Sequence, residues 1–342
     1  MKKLFLILTA FAALTTSSFA AKKSVKNDKL KIVATIFPEY DWTREILGDK
    51  AASTQLTLLV GNGVDLHSYQ PSIQDIAKIS TADIFIYVGG ESDGWVKDAL
   101  KNATNKNMKV INLLEVLGDK VKAEEIKEGM QAEEEEHEDH DHDAEDHDHE
   151  AEGHHHHHDD DDEVEYDEHV WLSVRNAKVL SAAICDAICE KDAANAASYK
   201  ANLSSYSAKL DALDKDYSAV VKAASKKTVL FGDRFPFRYL VDDYGLDYFA
   251  AFVGCSAETE ASFETVVFLS KKVDELGLNS VLKIESGDGK IAKTIVQNTK
   301  KKTAKVLTMD SLQSTTLKQA NAGTTYLKVM EDNLKVLKEA LN

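Results

Sequence analysis

The sequence predicts an α/β fold of two lobes, each built on a central, mostly parallel sheet, joined by one long rigid helix. Three observations predict it. Short apolar runs alternate with amphipathic helical stretches, the alternation restarts after an acidic, histidine-rich interruption, and the stretch from 193 to 225 contains neither Gly nor Pro.

Taken in order, the chain begins with Lys2 and Lys3, an apolar run from Leu4 to Leu14 and a small-residue exit at Ser18-Phe19-Ala20. This is the pattern of a cleavable secretory signal, residues 1–20, so the mature chain is expected to start near Ala21. No later stretch approaches the ~20 apolar residues that a membrane span needs. No Cys follows the apolar run to accept a lipid, and the expectation is a periplasmic protein without a lipid anchor.

Ile32 to Phe37, Gln55 to Val60, Ile84 to Val88 and Lys109 to Asn112 read as strands, with helices over Glu39 to Leu47, Ser72 to Ile79 and Trp95 to Asn102 between them. Val170 to Glu190 reads as a further helix. Together these form an expected N-terminal lobe over 29–190, with the histidine-rich segment 131–168 as a loop within it.

From 193 to 225, Leu203, Tyr206, Leu210, Leu213, Tyr217, Val220 and Val221 recur at spacings of three and four, the mark of one amphipathic helix. A second series occupies 226–342. Its strands are Thr228 to Phe231, Asp247 to Val253, Ser280 to Ile284 and Lys305 to Thr308, and its helices start near Phe235, Ser262, Gly289 and Gly323.

The segment from Gln131 to His169 holds eleven of the twelve histidines and twenty-one carboxylates, with no Lys or Arg. Imidazole is the usual nitrogen ligand for Zn, Cu and Ni, so this loop is expected to attract metal weakly at overlapping sites. The plainer alternatives are a solvated acidic linker or a purification tag, although the histidine block is internal and set among acidic repeats. The loop also accounts for the net charge of -17, leaving the rest of the chain slightly basic. A nucleic-acid role then has no basic stripe to rest on.

Three cysteines, Cys185, Cys189 and Cys255, cannot form a complete disulfide framework. Cys185 and Cys189 are four apart in a helical pattern and suit a buried face. Cys255 stands alone after a strand.

Ligands of open parallel sheets bind at the C-terminal ends of the strands, so residues just past each strand are the candidates. They are His67 in the Gly-rich loop after Val60, His169 where the acidic loop re-enters apolar sequence, Asp233 and Arg234 after Phe231, Cys255 after Val253, Glu285 after Ile284 and Asp310 after Thr308. Each alone reads as a cap, a surface residue or an ion-pair partner. Topology makes them converge on one crevice, where two histidines with carboxylates or a thiolate suit Zn.

Asp65-Leu66-His67-Ser68-Tyr69-Gln70-Pro71-Ser72 and Asp167-Glu168-His169-Val170-Trp171-Leu172 resemble the first two ligand motifs of the zinc- and manganese-type solute-binding proteins that serve ABC transporters. The resemblance covers nearly all of the mature sequence and includes the long helix and the His-rich loop, a feature of zinc-type members. It implies a periplasmic receptor that captures Zn²⁺ in the cleft as transported ligand and delivers it to a membrane permease, with the protein expected to act as a monomer. It implies His67, His169 and Asp310 as ligands, the last from Thr308-Met309-Asp310-Ser311-Leu312. The zinc-type third ligand, a His eleven residues before Gly-Leu, falls on Arg234, which stays protonated and cannot ligate. The manganese-type carboxylate falls near Gly254. Asp233, Cys255 or water is left to fill that position. The competing readings are a receptor for Mn²⁺ or another divalent ion, a zinc metallohydrolase, which would need an open metal position and shows no His-Glu-x-x-His motif, and a receptor for haem or a metal chelate, against which the two histidines argue.

Overall fold

A computed structural model describes residues 29–131, 165–256 and 260–342. The expected signal segment and most of the histidine-rich loop lie outside the described residues. Strands β1 (Lys31–Ala34), β2 (Gln55–Leu58), β3 (Ile84–Tyr87) and β4 (Lys109–Asn112) form a parallel sheet in the order β2-β1-β3-β4. Strands β5 (Thr228–Phe235), β6 (Asp247–Val253), β7 (Ser280–Ile284) and β8 (Lys305–Met309) form a second, in the order β6-β5-β7-β8. The two sheets therefore share one topology, and the α/β expectation holds.

Differences at the element ends have physical causes. The first strand stops at Ala34, because Pro38 sits in the first turn of the helix Phe37–Leu47 and Glu39 reaches back to accept from the amides of Thr35 (2.8 Å) and Ile36 (3.2 Å). Val170–Leu172 is a 3-10 turn, and the helix proper, Val174–Lys191, begins after Ser173, whose side chain accepts from the Asn176 amide. The linking helix is Ala196–Ala223, 28 residues, or about 42 Å at ~1.5 Å per residue. β5 continues past Phe231 through a register shift to Phe235, so Asp233 and Arg234 stand inside the strand and not beyond it.

One apolar core runs through both halves. Trp42, Trp171, Tyr217, Phe231 and Tyr326 are all fully buried in the same cluster. Polar tips on these rings stitch the halves together: Trp171 Nε1 donates to the Ser311 carbonyl (2.9 Å), Tyr326 OH to the Trp171 carbonyl (2.7 Å) and Tyr217 OH to the Met330 carbonyl (2.7 Å). These three rings bury apolar area while their donors stay paired, so the junction resists opening.

Glu39 is buried beneath this junction, and burial, then the nearby Asp93, pushes its carboxyl from 4.5 up to about 8. The folded protein therefore holds a proton that the unfolded chain releases near 4.5. The associated stability is fully present below that pH and is lost as pH rises through about 8. Glu39→Gln, which imitates the protonated acid, is expected to fall less in Tm between pH 6 and 9 than the unsubstituted protein; equal declines would place the proton elsewhere.

Candidate metal centre

The loop after β2 turns through Asp65, whose side chain accepts from the His67 amide (3.1 Å) and caps a 3-10 turn over Leu66–Ser68. This aims the His67 ring into the crevice, where its Nδ1 meets Ser92 Oγ at 2.7 Å and lies 3.6 Å from Glu168 Oε2. Asp167 does the same for His169: its Oδ1 accepts from the His169 amide (2.8 Å) and lies 3.0 Å from ring Nδ1. With both outer nitrogens engaged, the tautomer that carries its proton on Nδ1 leaves Nε2 of each ring free to ligate. The two Nε2 atoms are 3.1 Å apart.

Burial, reinforced by His169 and Arg234, lowers His67 to about 3, so its ring is neutral and able to ligate near pH 7. Cys255 completes the cluster: His67, His169 and Cys255 offer ligand atoms within 4.8 Å of one another. Burial first, then Glu124, Glu168 and Asp167, push the Cys255 thiol far up. A metal ion must therefore displace its proton. The set of two imidazoles and one sulfur is the soft donor set that zinc prefers to manganese.

The structure separates the remaining candidates. Asp233 Oδ1 accepts from its neighbour's amide at Arg234 (2.9 Å) and Oδ2 from Ile284 N (3.2 Å), so its oxygens serve the bulged backbone. It lines an adjoining cavity of about 570 Å³ with Arg234, Asp65 and Ser286. Asp310 is raised to about 6 by burial and then by Glu285, and its Oδ1 accepts from the Leu312 amide at 2.8 Å. Glu285 bonds Ser311 N (2.7 Å) and the hydroxyls of Ser311 and Ser314 (2.9 Å each). Neither Asp233 nor Asp310 belongs to the three-residue cluster found among the described residues.

Arg234 points across the crevice and pairs with Asp65 at 2.6 Å, while its Nη1 donates to the Ser256 carbonyl at 3.2 Å. An ion pair between β5 and the first histidine loop thus stands where a bridging ligand would. At Gly254, an added Cβ would come within 2.9 Å of His169 Cε1, so no carboxylate side chain fits beside this histidine.

Sequence reasoning missed Ser92, Glu168 and Gln313 as partners of the histidines. Gln313, with its nitrogen donating to Asp65 (2.9 and 3.1 Å), sets its oxygen 2.5 Å from His169 Nε2. It reaches there because the buried Leu312 adopts φ 63, a conformation that non-glycine residues rarely take. Nothing in the sequence marks that turn.

The family model of the zinc-uptake complex component A, periplasmic (ZnuA), matches residues 32–340. The zinc-binding lipoprotein AdcA of Streptococcus pneumoniae serotype 4 is 33% identical over 99% of this chain and 61% of its own length. The high-affinity zinc uptake system protein ZnuA of Bacillus subtilis strain 168 is 30% identical over 99% of this chain and 97% of its own length. The chain spans about three fifths of the AdcA relatives it matches. Among solved structures, the Zn(II)-bound ZnuA-like domain of S. pneumoniae AdcA superposes with a TM-score of 0.65 at 27% identity, over 92% of this chain and 99% of that domain. The expected absence of a lipid anchor is not borne out by the pneumococcal relative, whose name makes it a lipoprotein.

Cys255→Ala is expected to weaken zinc binding at least ~100-fold, about 2.7 kcal/mol. Asp233→Asn is expected to stay within about twofold of the unsubstituted protein, since about 0.4 kcal/mol is all that such a ratio represents. Competition titration against a chelator measures both, and the reverse ranking would assign the third donor to Asp233.

Proposed function

The chain belongs to the family of the periplasmic component A of the zinc-uptake complex, and from that membership we propose that it is a receptor that captures Zn²⁺ between two lobes and passes it to an ABC permease. The observation that carries the proposal is the convergence of two histidine Nε2 atoms 3.1 Å apart with the Cys255 thiol in the same cluster. The relatives named above carry zinc in their names, which supports Zn²⁺ as the cargo.

In this reading His67, His169 and Cys255 grip the ion, and Asp310 stands as the outer carboxylate. Asp233 is left to its backbone role. The lobes are 29–190 and 226–342, with 193–225 as the connector. The protein acts as a binder and not as an enzyme in this reading, which rests on its family, the receptor component of an uptake complex; Ser92 and Asp167 orient the histidine rings. Export to the periplasm fits the family's own description and the amino-terminal segment, and monomeric action with a permease completes the proposal. The thiolate donor argues against Mn²⁺, which favours oxygen.

Calorimetry with Zn²⁺ and Mn²⁺ on the protein lacking 132–164 tests this. One tight Zn²⁺ equivalent is expected, abolished by His67→Ala, with affinity rising with pH because the Cys255 thiol gives up its proton. No tight binding after loop deletion would make the loop itself the metal site and end the receptor reading.

A further inference from the structure

Residues 121–131 carry neither helix nor strand and run from the first half onto the second as a strap. On one side the strap pairs with the segment that leads into His169. Ala123 and Tyr166 form an antiparallel bridge, the Glu124 amide donates to the Glu165 carbonyl (2.9 Å) and the Asp167 amide to the Lys122 carbonyl (2.9 Å). On the other side the strap grips the second half. Glu125 pairs with Arg238 and accepts from Tyr248 OH (3.0 Å), Lys127 pairs with Asp247, and the Gln131 amide donates to the Ala251 carbonyl (2.9 Å).

Glu125, Lys127 and Gln131 tie the halves together away from the metal centre, whereas Glu124 reaches the centre itself. Its half-buried side chain accepts, through Oε1, from the Cys255 amide at 3.1 Å. One residue thus holds two ligand segments: its amide is bonded to the segment that ends in His169, and its carboxylate to the turn that carries Cys255. The closing bond of that turn, from the Ser256 amide to the Val253 carbonyl, is long at 3.4 Å, so the bond to Glu124 is the tighter hold. The turn is wedged between Glu124 and His169, whose ring a Cβ at Gly254 would strike. A mobile donor pays an ordering cost when it joins an ion, and fixing it beforehand leaves tighter binding.

We propose that Glu124 is a positioning residue of the metal centre: by anchoring the Cys255 amide it keeps the sulfur within reach of the ion that His67 and His169 hold. This rests on the receptor reading above, with Cys255 as the third donor. The hydrogen bond, and not the charge of the carboxylate, does the positioning.

The test uses Co²⁺ in place of zinc on the full chain. A sulfur ligand gives Co²⁺ a charge-transfer band in the near ultraviolet, and the histidine-rich segment from 131 to 169 holds no Cys to add to it. The band is expected in the unsubstituted protein and not in Cys255→Ala. In Glu124→Ala the Co²⁺ concentration that half-fills the band is expected to rise at least about tenfold. Glu124→Gln keeps an acceptor oxygen at the same reach and is expected to recover most of that loss. Glu124→Asp keeps the charge but draws the oxygen back by one methylene, and is expected to recover little; these two decide the matter even where the Ala variant fails to fold. Glu125→Ala, which cuts the tie to Arg238 and leaves Cys255 alone, is expected to match the unsubstituted protein. An unchanged band in Glu124→Ala would overturn the positioning role alone, as would rescue by Asp and not Gln, or an equal loss in Glu125→Ala. No band in the unsubstituted protein, or one that survives Cys255→Ala, would remove the sulfur donor and this role with it.

Discussion

The structure depends on the buried aromatic junction that joins its two sheets. Trp171, Tyr217 and Tyr326 each bury a ring in the shared core and spend their polar tip on a carbonyl across the molecule. Because these rings are packed and satisfied at once, the halves cannot part without exposing apolar area and stranding donors. The strand ends of both sheets are thereby held facing one another. Trp171 is two residues from His169, so the same packing that fixes the junction fixes the second histidine.

On that platform the metal centre is preorganised by second partners. Asp65 and Asp167 each accept from the histidine amide two residues on, a local device that sets the histidine's backbone before any ion arrives. Ser92 and Asp167 then hold the rings. Asp65 has a second task, since it also receives Arg234 from the opposite sheet. This ion pair supplies a bridge across the crevice that owes nothing to metal. The ordering cost of bringing the two sides together is met by the fold, which leaves more of the ion's binding energy to show as affinity.

The fold was largely legible because parallel strands buried on both faces read as short apolar runs and the linking helix as an unbroken amphipathic period. What was lost lay at the ends. The bulge that carries β5 past Phe231 has no signature in periodicity, so Asp233 and Arg234 read as loop residues. The histidines were legible from topology, since each follows an apolar segment into the crevice. Cys255 was legible only as one of the options for the third position beside Asp233 and water, because Cys255 and Asp233 are equally near strand ends in sequence, and the backbone amides that claim Asp233 set the two apart. Gln313 depends on the left-handed turn at Leu312, and Arg234's partner lies 169 positions away, which no local pattern reveals.

The proposed centre holds one ion between His67, His169 and the Cys255 sulfur. Zinc K-edge X-ray absorption on the protein lacking 132–164, loaded with one equivalent of Zn²⁺, tests it directly. One sulfur neighbour at about 2.3 Å together with nitrogen neighbours at about 2.0 Å is expected. A first shell of nitrogen and oxygen alone would contradict it and return the third position to a carboxylate or water.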